Sequence, residues 1–334
     1  MLTRMTSDQR RHLEEIGRTW HHHAALLRGQ DDLAGGMQWK LAAGNEYLTR
    51  YWSDPLSGKK VARSLGRRSA ETESLYQDFL ARREKARAEA AALAPRIEMA
   101  GRFAKALRLT RMPSKHAAGL RNLWRAGRLQ EDGSGVIALG ATALMLYEIK
   151  SGWLAPPTAL KDDDGASFLF PETEEVGWEQ AMEFAIAFGG RDAAVETIDA
   201  DGGRRRLSVG GAQITLYGHR AIDESTERLE APPIVKECVT DALRAPPVTG
   251  FVFARDATMA PVSAPDPRAL CLLSPLLASD DENTLKDAWT RCEAVEEMVR
   301  ERWKQAPFTA AMNDALEELR ECANPEAVGG FPTL

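Results

Sequence analysis

The chain has 334 residues, with 43 Lys and Arg against 49 Asp and Glu for a net charge of −6, and 44% of its residues are hydrophobic. These proportions exclude a disordered, collagen-like or disulfide-scaffold chain, and the length suggests about two domains. The charge is uneven: residues 1–150 hold 26 Lys and Arg against 16 Asp and Glu, whereas residues 151–334 hold 17 against 33. A basic half of this kind suits a polyanion, either nucleic acid or the triphosphate of a nucleotide. No apolar run approaches the roughly 18 residues that a membrane span needs. The N-terminal MLTRMTSDQRRHLEEIG has no apolar signal core. The expectation is a cytoplasmic protein without a membrane partner. Cys238, Cys271, Cys292 and Cys322 form no CxxC pair, which predicts reduced thiols rather than a zinc site.

Residues 7–29 predict a first helix, with Leu13, Ile16, Trp20 and Leu27 at near-helical spacing. His21, His22 and His23 lie on it, but successive helical positions point in different directions and cannot all face one metal. Residues 45–66 predict a β-hairpin. Tyr47, Thr49 and Tyr51 alternate, Asp54-Pro55 and Ser57-Gly58 mark the turn, and Val61 leads the return strand. Lys59, Lys60 and Arg63 interleave with these aromatics as a candidate nucleic-acid or phosphate contact. The alternative is a hairpin whose aromatics pack on the next helix. That helix is predicted over 69–93 with Ser69 as N-cap, and Pro95 is expected to separate it from another at 96–109. A further helix covers 113–129, and Arg121, Arg125 and Arg128 there leave a helix-turn-helix open.

Residues 136–170 carry the most chemistry. Val136–Leu139 reads as a short buried strand, followed by Gly140 and a helix to about Lys150. Glycine at such a junction lets backbone amides approach a phosphate at a helix N-terminus. Asp162-Asp163-Asp164 follow, then the strand-like Ala166–Phe170. On an extended chain Asp162 and Asp164 share a face, where two carboxylates repel unless a cation such as Mg²⁺ lies between them. The alternative is a solvated acidic loop. Farther on, Glu179–Phe188 predicts a helix with Met182, Ala185 and Ile186 on one face, and 193–217 predicts two or three strands. The segment 231–267 looks Pro-rich and strand-like, including Thr249–Ala254. An amphipathic helix is expected at 285–303 and a last helix at 308–322, before a loose tail at 324–334.

Tyr47 to Phe79, YLTRYWSDPLSGKKVARSLGRRSAETESLYQDF, resembles the opening of a bacterial nucleotidyltransferase-like family of the polymerase-beta-type superfamily. The segment MPSKHAAGLRNLWRAGRL, the run Gly140-Ala141-Thr142-Ala143-Leu144 with Tyr147-Glu148, and Asp266-Pro267-Arg268 follow in the family's order, so the resemblance spans roughly 45–305. The family's T-x-D-h-D-L strand would fall on Lys161–Gly165. The resemblance implies Mg²⁺-dependent (or Mn²⁺-dependent) transfer of a nucleoside monophosphate from an NTP to an unknown acceptor, either nucleic acid or protein. Gly140, Ala141 and Thr142 would lie near the phosphates, and Asp162 and Asp164 would be catalytic metal ligands. Thr215 stands where the third acid is expected, and a hydroxyl binds Mg²⁺ far less well than a carboxylate. The alternative is therefore a catalytically degenerate module that binds nucleic acid or a protein partner. The expected fold is α+β. A helical, basic region at 1–130 with the hairpin at 45–66 precedes a nucleotidyltransferase-like mixed sheet at 131–270 and C-terminal helices at 271–334.

Overall fold

The structure is a computed structural model that describes all residues except 32, 34, 54–59, 130–134, 161–164, 191–192, 202, 279–281, 303–306 and 323–334. Lys59, Asp162 and Asp164 therefore lie outside the described residues, as does the tail at 324–334. The fold is mixed α+β. The chain divides into two compact units, Arg11–Arg108 and Met1–Arg10 with Leu109–Leu334. The helix at 113–129 and the C-terminal helices thus belong to one unit with the residues between them.

A short strand, β1 (Thr3–Arg4), opens the chain, and helix α1 (Ser7–Asp31) follows. Leu13, Ile16 and Trp20 are buried, as their spacing predicts. The expected hairpin forms from β3 (Asn45–Ser53) and β4 (Lys60–Arg67), with Arg50 opposite Arg63. A strand not foreseen, β2 (Gly36–Ala42), adds to it through a tight turn in which Ala43 and Gly44 have φ of 51° and 76°. Two successive positive φ values match the twist of paired strands. The long helix α2 (Ala70–Ala106) begins at the predicted cap: Ser69 Oγ accepts from Thr72 N at 3.3 Å, and Thr72 Oγ1 accepts from Ser69 N at 2.8 Å. The expected break at Pro95 is absent. Proline removes one helical hydrogen bond, at a cost of about 3 kcal/mol. Burial of Leu93, Ala100 and Ala104 on either side of it keeps α2 continuous. A bond between His12 Nε2 and Ala100 O at 3.0 Å ties the far half of α2 to α1.

In the larger unit, β5 (Thr110–Met112) leads into α3 (Ser114–Arg125), then β6 (Ile137–Ala138), α4 (Gly140–Ser151) and β7 (Trp153–Leu154), which pairs with β1. Next come β8 (Ala166–Leu169), α5 (Trp178–Gly189), β9 (Val195–Asp201), β10 (Arg204–Val209) and β11 (Ala212–Tyr217). These build a five-stranded sheet in the order β6-β8-β11-β10-β9, in which only β8 and β11 are parallel. Helix α5 packs through Phe184, whose ring centroid lies 5.0 Å from that of Phe168 on β8. Its buried face is Ala181, Phe184, Ala185 and Phe188, one residue round from the face expected. On α3, Gly119 makes room for this helix, because a Cβ there would fall 2.2 Å from the Phe188 ring.

The chain continues through α6 (His219–Arg228), α7 (Pro233–Leu243), β12 (Val248–Ala254), β13 (Met259–Ala264), α8 (Pro267–Leu276), α9 (Glu282–Arg302) and α10 (Ala310–Cys322). Strands β13, β12 and β5 form a second sheet in that order. The segment expected to be strand-like from 231 holds helix α7, whose first residue is Pro233, a position that suits proline because its missing N–H is not needed there. Ala288, Cys292, Val295 and Val299 are buried on α9 as the periodicity predicts. All four cysteines are free thiols. No described helix is long and apolar enough to cross a membrane.

Candidate functional site

The site grows from the start of α4. Strand β6 is two residues long, and just beyond it Leu139 N donates to Ser167 O at 2.8 Å, so the chain enters α4 beside the start of β8. Gly140 turns that corner with φ of 59°, a conformation in which an L side chain is strained. No side chain caps α4, yet its first turn is buried: Ala141 and Thr142 are each 3% exposed. A helix N-terminus carries about half a positive charge on amides with no partner inside the helix, so a buried, uncapped one calls for an anion. Helix α3 is also uncapped, since its N-cap residue is Pro113, but its first turn is partly exposed.

First-turn residues of both helices line one cavity of about 560 Å³: Ala141 and Thr142 from α4, Pro113 and His116 from α3. That volume lies within the range of about 300–1,000 Å³ typical of small-molecule sites. Two arginines complete its charge. Arg111 on β5 pairs with Glu148 of α4 and also donates to Ala155 O at 3.1 Å. Arg255, just after β12, is exposed, and its backbone N–H is fixed on Met112 O at 2.9 Å. Thr110, Met145, Pro157 and Leu160 finish the wall.

Burial pushes the Glu148 carboxyl up to about 8, against the pull of Arg111 and of the Ala155 N–H, which donates to Glu148 Oε1 at 2.7 Å. Burial also lowers His116, and the neighbouring Arg255 lowers it further, which keeps the imidazole neutral at physiological pH. At neutral pH the described wall thus presents two guanidinium groups and two helix ends with little opposing charge. It suits a phosphate-bearing ligand, and these donors do not fit a divalent cation. Among the described residues no group of three or more His, Cys, Asp or Glu is placed to hold a metal ion.

Of the residues singled out in the sequence, Ala141 and Thr142 line this cavity, whereas Gly140 lines a smaller hollow with Ser167 and Tyr217. Asp162 and Asp164 follow the cavity residue Leu160 in the chain but lie outside the described residues. Beyond them Gly165 has φ of 82°, and a Cβ there would fall 2.2 Å from Gln213 O, so β8 enters in close contact with β11. On these two strands Ser167 is registered with Thr215, and both are buried. Paired residues share a face of the sheet, so hydroxyls stand together there. Lys60 and Arg63 are exposed on β4 in the other unit, where the Arg50 guanidinium lies 5.5 Å from the Trp52 ring centroid. Sequence reasoning missed Arg111, His116 and Arg255. Arg111 and His116 sit inside or beside the MPSKHAAGL segment that carries part of the resemblance, so the segment was visible and the roles of its cations were not.

No family model, curated protein or solved structure matches the chain.

Proposed function

We propose that this chain is a nucleotidyltransferase-like protein that binds a nucleoside triphosphate in the basic cavity between the first turns of α3 and α4. The observation that carries this reading is the convergence of two uncapped helix N-termini with Arg111 and Arg255 on a cavity of about 560 Å³. The Thr142 and Ala141 amides would meet phosphate oxygens, and Arg255 would supply a charge-assisted bond from the rim. Arg111, held by Glu148 and Ala155, would act as a fixed charge behind them.

In the active form of this reading the protein transfers a nucleoside monophosphate to an acceptor, and Asp162 and Asp164 hold Mg²⁺. Its support is the resemblance, which puts the family's metal-binding T-x-D-h-D-L strand on Lys161–Gly165. A second form binds the nucleotide without turning it over. It is favoured by Thr215, which puts a buried hydroxyl on β11 where the resemblance expects the third acid. Incubation with labelled NTPs and Mg²⁺ or Mn²⁺ separates the two. Pyrophosphate release that disappears in Asp162→Ala and Asp164→Ala supports transfer. Saturable nucleotide binding with equal background release in all three proteins supports the binding module. No saturable binding removes both forms.

A further inference from the structure

The hollow beside Gly140 is about 50 Å³, far below the size of a nucleoside. Five elements contribute to it: Gly140 at the start of α4, Ser167 on β8, Tyr217 on β11, Ser274 on α8, and Asp287 with Arg291 on α9. Ser274 is 9% exposed, and its Oγ has no hydrogen-bond partner among the described residues. A hydroxyl buried in that way is destabilising unless something enters to meet it. Arg291 is equally buried, and its Nε reaches Ala159 O at 3.4 Å. It brings a positive charge into a poorly solvated place, and the α4 N-terminus adds its partial positive charge, while Asp287 is the one acid in the described wall. The wall carries one guanidinium, one carboxylate and a helix end, with hydroxyl donors from Ser167 and Ser274, and the space suits one tetrahedral group.

We propose that this hollow binds a single oxyanion of phosphate size, held by Ser167, Ser274, Arg291 and the α4 N-terminus, and distinct from the nucleotide cavity. It does not depend on nucleotide binding in the larger cavity. Free orthophosphate and the phosphate of a monoester share this chemistry.

The test titrates the full chain with inorganic phosphate and follows its melting temperature and the phosphorus-31 line width, with chloride as the ionic-strength control. A saturable rise in melting temperature and a broadened line are expected. In Ser274→Val, whose added methyl groups occupy the hollow, phosphate affinity should fall about tenfold. In Arg255→Glu it should remain. Ser167→Ala provides the same readout if Ser274→Val folds poorly. Phenyl phosphate identifies the source: protection equal to that of orthophosphate assigns a monoester, and protection by orthophosphate alone assigns the free ion. An unchanged melting temperature in wild type overturns the proposal. So does a response that survives Ser274→Val and Ser167→Ala but is lost in Arg255→Glu, because that places the phosphate in the larger cavity. Nucleotide titration of the same variants keeps the two sites separable, since Ser274→Val should still bind nucleotide.

Discussion

The first turn of α4 is shared by two hollows that differ in size and in the chemistry around the same helix end. On the Ala141–Thr142 side the neighbours are Arg111, Arg255 and the start of α3, around about 560 Å³. On the Gly140 side they are serines, Asp287 and Arg291, around about 50 Å³. A helix N-terminus alone selects for negative charge and little else. The side chains set around it, and the room they leave, decide whether the anion is a nucleotide or a lone oxyanion. The larger hollow takes its cations from the rim and from Arg111 beside the titratable Glu148, so its charge responds to mutation and to pH. The smaller one takes its donors from the interior, so it responds to volume.

The largest effect that would sharpen this contrast is expected from Arg255→Glu. Loss of a charge-assisted bond, together with the reversed charge, should weaken nucleotide binding about a hundredfold while leaving phosphate binding beside Gly140 intact. Calorimetric titration with each ligand checks both halves. Next comes Gly140→Ala, which touches both hollows. At φ of 59° a Cβ introduces strain of about 1–2 kcal/mol. The melting temperature should fall, and both affinities should drop together. Loss at only one hollow would show that the two do not share the helix end.

The pH dependence is a smaller effect. Folded Glu148 keeps its proton up to about pH 8, whereas unfolded it loses it near the usual value of 4.5. Between those values the native state binds more protons, so the stability contribution of this group declines as pH rises through that window. Neutral Glu148 leaves the charge of Arg111 uncompensated, and ionised Glu148 cancels it. Nucleotide affinity should therefore fall about fivefold between pH 7 and pH 9, and Glu148→Gln should flatten the profile. The smallest effect on the cavities is expected from Lys60→Glu with Arg63→Glu on β4, which should leave nucleotide and phosphate titrations unchanged. Retention on single-stranded nucleic acid at low salt should fall in that double variant if the hairpin is a polyanion contact. Equal retention would remove the hairpin from that role.

What the sequence revealed, and what it hid, follows the range of the forces involved. Gly140 and the strand–helix junction were legible because both depend on neighbouring residues. The hairpin of β3 and β4 showed in its alternation, and Ser69 in its capping pattern. Strand β2 escaped because Ala43 is an unusual residue for a positive φ, so no turn signal separated it from β3. Pro95 misled because tertiary burial outweighs one lost hydrogen bond in a helix of 37 residues. The α5 face shifted because Phe184 and Phe188 stack, with centroids 6.0 Å apart at 18°, and bind to Phe168, a preference that helical spacing alone does not rank. The cavity itself was hidden for a different reason. Arg111 and His116 come from one stretch of chain and Arg255 from a distant one, and they converge because β5 pairs with β12.

The most direct test of the account titrates a nucleoside triphosphate into wild type and Arg255→Glu by calorimetry at pH 7. The account predicts saturable binding by wild type and affinity about a hundredfold lower in the variant. Equal affinity in the two proteins, or no binding by wild type, would contradict the claim that the basic end of α4 receives the phosphates.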